Sequence, residues 1–195
     1  YDQNVAAQIC KAARTSTNFN TDLPGGTRIK IVASSKSAIT GAQLATALFS
    51  AAEQLDTDNI PEGNRYCALA PAEYYKLVQT TDVINRDWGG KGAYSEGEVL
   101  RVAGIDIVKS NHLPTTNRSA ASGENNAYNA DFTDSVALVW NPQAVGTVKL
   151  MDLKTEMTGS DIHALWQGTF MISSMALGVG ILRPDCAVEI YTATS

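Results

Sequence analysis

With 195 residues, 44% hydrophobic and 18% charged, the chain has the composition of one globular domain or two small ones, with few charges for its size. A formal net charge of -5 does not point to nucleic acid, since sequence-independent binding needs a basic stripe. No apolar run approaches the roughly 20 residues of a membrane-spanning helix, so no membrane partner is expected. Cys10, Cys67 and Cys186 are widely spaced and form no Cys-x-x-Cys pair. They read as buried free thiols of a protein made in a reducing cytoplasm.

In chain order, Tyr1 to Arg14 carries Val5, Ile9 and several alanines on a helical stripe, with Lys11 and Arg14 where the helix dipole favours cations. Thr15 to Gly26 is polar and closes on the turn Pro24-Gly25-Gly26. Thr27 to Ala33 alternates, which predicts a strand with Ile29 and Ile31 inward. Thr40 and Gln43 form a capping box, flanked by Ile39 and Leu44 as a hydrophobic staple. Leu44, Leu48, Ala52 and Leu55 then make the core stripe of a helix that ends across Asp56 to Gly63. Arg65 to Ala70 predicts a short strand, and Pro71 opens a second helix with Tyr74, Leu77 and Val78 inward.

Asn85 to Gly97 is a glycine-rich loop, and Val99 to Lys109 a strand with a turn or bulge near Gly104. Asn111 to Asp131 is a polar stretch without a periodic pattern, long enough to be functional or disordered. Phe132 to Trp140 predicts a strand, central because Ser135 to Trp140 is almost continuously apolar. Asn141-Pro142 starts a short helical turn. Thr147 to Thr158 reads as a strand whose apolar parity changes: Val148 and Leu150 point one way, Met151 and Leu153 the other, as at a bulge. Thr158 to Asp161 is a turn. Ile162 to Leu177 fits both a helical stripe and a half-buried strand. Gly168, Gly178 and Gly180 favour the strand, hence a long antiparallel hairpin that needs something laid across it. Ala187 to Thr192 is a last strand. The class is α+β, without internal repeats or regular βαβ alternation.

Little chemistry is patterned. Trp88-Gly89-Gly90-Lys91-Gly92 lacks the Ser/Thr and the following helix of a phosphate-binding loop. His112 and His163 lack metal-ligand spacing, no nucleophile elbow exists, and the carboxylates are scattered. No catalytic, metal or cofactor residue is assigned. The alternative is a small-molecule-binding or hydrolytic α+β domain using the 85–97 loop and His112.

Ala144 to Leu150, Asp152-Leu153 and Gly180 to Pro184, preceded in order by Arg65 to Pro71 and by Gly104 to Val108 leading to His112-Leu113, resemble the major capsid protein of short-tailed, T-seven-like phages. The resemblance covers most of the chain and implies the Hong Kong 97-type fold. It implies a peripheral domain of residues 1–20 and 144–180, in which the end of a spine helix lies across the hairpin, and an axial domain of 21–143 and 181–195. An N-terminal arm and extended loop are expected before Tyr1. The implied role is a structural subunit, made in the host bacterial cytoplasm and found in the virion. It would meet itself in pentamers and hexamers, scaffolding and portal proteins during assembly, and packaged double-stranded DNA non-specifically. Asn85, Arg86, Asp87, Trp88 and Lys91 in the glycine-rich loop, and Asn117 and Arg118 in the long polar loop, are the candidate subunit contacts.

Overall fold

In the computed structural model, which describes residues 2–80, 101–119, 125–157 and 168–193, Asp2–Arg14 is helix α1 and Thr27–Val32 is strand β1. Helix α2 (Gly41–Thr57) starts at the expected capping box: the Thr40 hydroxyl accepts from the Gln43 amide, and the Gln43 side chain accepts from the Thr40 amide. The staple residues Ile39 and Leu44 and the stripe Leu48, Ala52 and Leu55 are all buried. β2 (Tyr66–Leu69) runs into α3 (Pro71–Val78), and β3 (Arg101–Val102) turns into β4 (Ile105–Lys109). β5 (Ser135–Trp140), β6 (Val145–Met157), β7 (Met171–Ile181) and β8 (Ala187–Ala193) follow.

Six strands make one sheet in the order β1-β8-β5-β2-β4-β3. β5 is central, as its unbroken apolar run requires. Two pairs are parallel, β1 with β8 and β2 with β4, and the rest are antiparallel. Helix α1 packs on β8, β5 and β1 and buries Ala7, Ile9, Cys10, Ala12 and Ala13, while α2 packs on β1 and α3. Period-two alternation along β8 separates the two faces. Glu189 bonds to α1, while Val188 and Ile190, both buried, point to the other side of the sheet.

The β3–β4 connection is two residues long, because Val102 pairs with Ile105. Ala103 (φ 51°) and Gly104 (φ 78°) both occupy the left-handed region, as a type I′ turn demands. Gly104 adopts it freely, and Ala103 is strained there. Ala103→Asn, which restores the favoured Asn-Gly pair, is expected to raise stability by about 0.5–1 kcal/mol in urea unfolding.

The chain divides into two units, Tyr1–Val145 with Ile181–Ser195, and Gly146–Gly180. The expected grouping placed residues 1–20 with the hairpin. In the structure α1 lies in the first of these units, its buried face resting on β8 and β5. The second unit is a two-stranded ribbon of β6 and β7. The return run is a strand from Met171 among the described residues; the turn expected at Thr158 to Asp161 and the first part of the run expected from Ile162 lie outside them.

Candidate functional site

Glu189 sits on β8 between two neighbouring strands and beneath α1, with no exposed surface. Arg14 reaches it from the last turn of α1, donating from Nε to Oε2 at 2.8 Å and from Nη2 to Oε1 at 2.6 Å. Arg28 on β1 donates from Nε to Oε2 at 2.8 Å. The Cys10 thiol (3.1 Å) and the Ser135 hydroxyl donate to Oε1. Aromatic faces back both cations: Arg14 lies 5.2 Å from the centre of the Phe132 ring and Arg28 3.9 Å from that of Tyr191.

Burial alone would push the Glu189 carboxyl up. The hydrogen bonds from Arg14, Ser135 and Cys10 outweigh that and hold it below the usual carboxylate range. Burial, reinforced by the Glu189 charge, pushes the Cys10 thiol up to about 12, which makes it inert as a nucleophile. Burial likewise pushes the thiols of Cys67 and Cys186 up, to about 12 and about 11. The cluster is closed and fully bonded, so it ties α1, β1 and β8 together and offers no place for a substrate.

Two further ties hold loops. Buried Arg65 donates to the carbonyls of Pro61 (3.1 Å) and Ile60 and pairs with Asp56 at 2.7 Å, closing the end of α2. Asp185, almost wholly buried, takes Arg183 and, at 2.9 Å, the amide of Asn18. Arg183 also donates to Gln143 at 2.9 Å, and the Leu182 amide donates to the Ala144 carbonyl at 3.0 Å. These bonds hold residues 141–144 beside 182–186.

Of the expected contact residues, Asn85, Arg86, Asp87, Trp88 and Lys91 lie outside the described residues. Asn117 is exposed and its side-chain oxygen accepts from Ser119 N at 2.9 Å. Arg118 is half-buried and donates to Asn4 on α1 at 3.4 Å. The long polar stretch holding both is anchored where it is described. Gln8 and Lys11 donate to the Ala127 carbonyl at 2.9 and 2.5 Å, and Arg14 donates to the carbonyl of Asp131. Periodicity missed this because the anchors come from a helix more than 100 residues upstream. His112 is exposed, 3.9 Å from Asp2. Among the described residues no group of His, Cys, Asp or Glu could hold a metal ion, and no helix is long and apolar enough to cross a membrane.

The ribbon has a different character. Val148, Leu150, Leu153 and Ile172 are each more than half exposed, as are Met157, Met171 and Met175. Its β6 charges pair locally, Lys149 with Asp152 at 2.7 Å and Lys154 with Glu156. Among the described residues the ribbon presents an apolar surface.

A family model described as Gp10A-like, major capsid protein, matches residues 1–191. No curated protein matches the chain. The capsid structure of the cyanophage P-SCSP1u contains a chain 69% identical to this one, with a TM-score of 0.95 over 99% of this chain and 61% of that one. A chain of the mature capsid of bacteriophage PhiM1 superposes with a TM-score of 0.81 at 19% identity, over 100% of this chain and 60% of its own. A chain of Mycobacterium phage Che8 superposes at 0.64 with 15% identity, over 96% of this chain and 56% of its own. The chain thus spans about three fifths of the length of these relatives. The α+β fold is the Hong Kong 97 type expected from the resemblance. Matched over nearly its whole length, the chain belongs to the Gp10A-like major capsid protein family.

Proposed function

We propose that this protein is a structural subunit of a phage head, assembling with copies of itself into pentamers and hexamers of an icosahedral shell around double-stranded DNA. The observation that carries the reading is the ribbon, a two-stranded element with large apolar side chains exposed along both strands. Such an element is marginal alone and acquires its stability from a partner. Contacts between identical subunits that close into rings supply that partner many times over. In this reading the sheet unit is the axial part and the ribbon the peripheral part. The stretch 111–131, anchored on α1, faces the ring centre, and Asn117 and Arg118 meet neighbours there, while Asn85, Arg86, Asp87, Trp88 and Lys91 meet neighbours from the glycine-rich loop. Scaffolding and portal proteins are transient partners, synthesis takes place in the host cytoplasm, and DNA contact is non-specific and weak, since a net charge of -5 suits a shell that does not clamp its DNA. The alternative finds less support: its glycine-rich loop lies outside the described residues, and its His112 lines a mostly apolar cavity of about 310 Å³ with Asp2, Ser110, Trp140 and aliphatic side chains, where it faces one carboxylate at 3.9 Å.

Electron microscopy of the purified full-length protein tests this. Closed shells or rings of five and six are expected; a stable monodisperse monomer at micromolar concentration would overturn the reading.

A further inference from the structure

We propose that Phe19 of one copy of this chain inserts into the apolar cavity beside helix α1 of a second copy, a knob-and-hole contact between neighbours. The inference rests on the shell-subunit reading above and names one contact within it. Phe19 is 83% exposed, more than any other large hydrophobic side chain among the described residues. A single exposed apolar side chain ordinarily needs no explanation. This one differs because the loop that carries it is tied down on both sides. The Asn18 side-chain amide donates to the Pro24 carbonyl at 3.0 Å and to the buried Asp185 carboxylate at 2.9 Å. After Phe19, the Leu23 and Asp22 amides donate to the carbonyl and side-chain oxygens of Asn20, each at 3.1 Å. Phe19 is thus held out in water by a loop that is already ordered, so docking it costs little further conformational entropy.

The hole is the cavity of about 310 Å³ that His112 lines. Its walls include Val5 and Ile9 of α1, Leu113, and Leu138 and Trp140 of β5. An aromatic ring fits an apolar cavity of about 150 Å³, so a phenyl ring enters this one without displacing its walls. Trp140 supplies an aromatic face or edge against which that ring can pack. Asp2 and His112, with side chains 66% and 59% exposed, make a polar rim. The residues flanking Phe19, Asn18 and Asn20, are uncharged and place no second anion against Asp2. An apolar centre inside a polar rim is the anatomy of a protein contact, and an aromatic anchor seated in a pocket is the usual form of its hot spot.

Position along α1 makes the occupant a second copy. The cavity follows that helix from Asp2 to Ile9, whereas Phe19 lies beyond its other end, after Arg14. At 1.5 Å per residue the helix is on the order of 20 Å long, so Phe19 does not fill the cavity of its own molecule. Knob and hole are then different patches of one surface, which defines a heterologous, head-to-tail contact. Such contacts close into rings when the rotation between copies allows it. The chain carries both halves of the contact. A small molecule in the cavity would leave Phe19 in water, and a nucleic acid finds no lysine or arginine among the lining residues.

Photo-cross-linking of the full-length protein provides the test. Isotopically heavy subunits carrying photoreactive benzoylphenylalanine in place of Phe19 are assembled with an excess of light wild-type subunits, irradiated and read by peptide mass spectrometry. Shells are expected to give adducts from position 19 of heavy chains to light-chain peptides spanning Val5 to Ile9, Val108 to Leu113 or Leu138 to Trp140, and free subunits to give none. In a second measurement Phe19→Ala is expected to lower the yield of closed shells about tenfold or more, as truncation of an aromatic hot spot does. Its free subunits are expected to melt within about 2 °C of wild type, because the side chain lies in water. Adducts confined to other peptides or to the same chain, or Phe19→Ala shells at wild-type yield, would overturn the inference and leave the shell reading standing. Wild-type protein that forms no shells overturns the proposed function and this contact with it, before any variant is made.

Discussion

Glu189→Ala is expected to destabilise the sheet unit by about 4 kcal/mol, because removing one member of a buried ionic cluster leaves its partners uncompensated. Two guanidinium groups, Arg14 and Arg28, converge on that carboxylate, and their side chains are only partly exposed. For a chain of this size the loss corresponds to a fall in melting temperature of about 10 °C. The pH dependence follows from the depressed folded-state pKa. A carboxyl whose folded value lies below its unfolded value contributes fully above the unfolded value, here near 4.5, and that contribution fades as pH falls towards the folded value. Wild-type protein should therefore lose stability below about pH 4.5 more steeply than Glu189→Gln, which has no proton to take up there. Thermal unfolding followed by circular dichroism at pH 7 and pH 3.5 reads both effects. The triple variant Arg14→Met, Arg28→Met, Glu189→Leu should recover most of the loss, since apolar residues of similar volume commonly replace buried ion clusters without cost. If Glu189→Ala melts within 2 °C of wild type, the cluster is not the tie described above.

Gly26→Val is expected to cost about 3 kcal/mol through overpacking that the structure cannot relieve. The Gly26 amide donates to the Thr15 carbonyl at 2.8 Å, which brings the start of β1 against the last turn of α1. A Cβ there would stand 2.1 Å from the Ala12 carbonyl oxygen and 2.6 Å from the Ala13 Cα. Both are backbone atoms, so no side-chain rotation clears the space. Gly63→Ala is the control: its added carbon meets nothing within 4 Å. Urea midpoints should separate the two variants clearly, and equal midpoints would mean that α1 shifts at little cost.

The elements legible in the sequence are those whose signals are local. Thr40, Gln43, Ile39 and Leu44 mark the start of α2 within six residues, and the unbroken run of Ser135 to Trp140 marks a central strand. The hairpin was legible from its strands. What stayed hidden depends on pairing across the chain. Parallel β1–β8 joins residues 161 apart, as between Arg28 and Glu189, and no periodicity encodes that. Arg14 reads as a helix-end cation and Glu189 as one of many scattered carboxylates. The available signal was narrow: Glu189 is the one charge in Ala187 to Tyr191, and a lone acid in an apolar strand needs a cation. The capsid assignment came from the order of strings such as Arg65 to Pro71 and Gly180 to Pro184, which the family match bears out.

The distance in sequence between Arg28 and Glu189 sets an order of events during synthesis. β8 occupies the second position of the sheet and touches both β1 and β5, yet it emerges from the ribosome after all the other strands. At about 5–20 residues per second, translation of the intervening residues takes on the order of 10 s. Throughout that interval the β1–β8–β5 part of the sheet has a gap, and the two arginines lack their shared anion. The apolar ribbon, by contrast, is already complete in sequence before β8 appears. A nascent chain is therefore adhesive before it is finished, and polysomes crowded with such chains are where shielding by other proteins matters most.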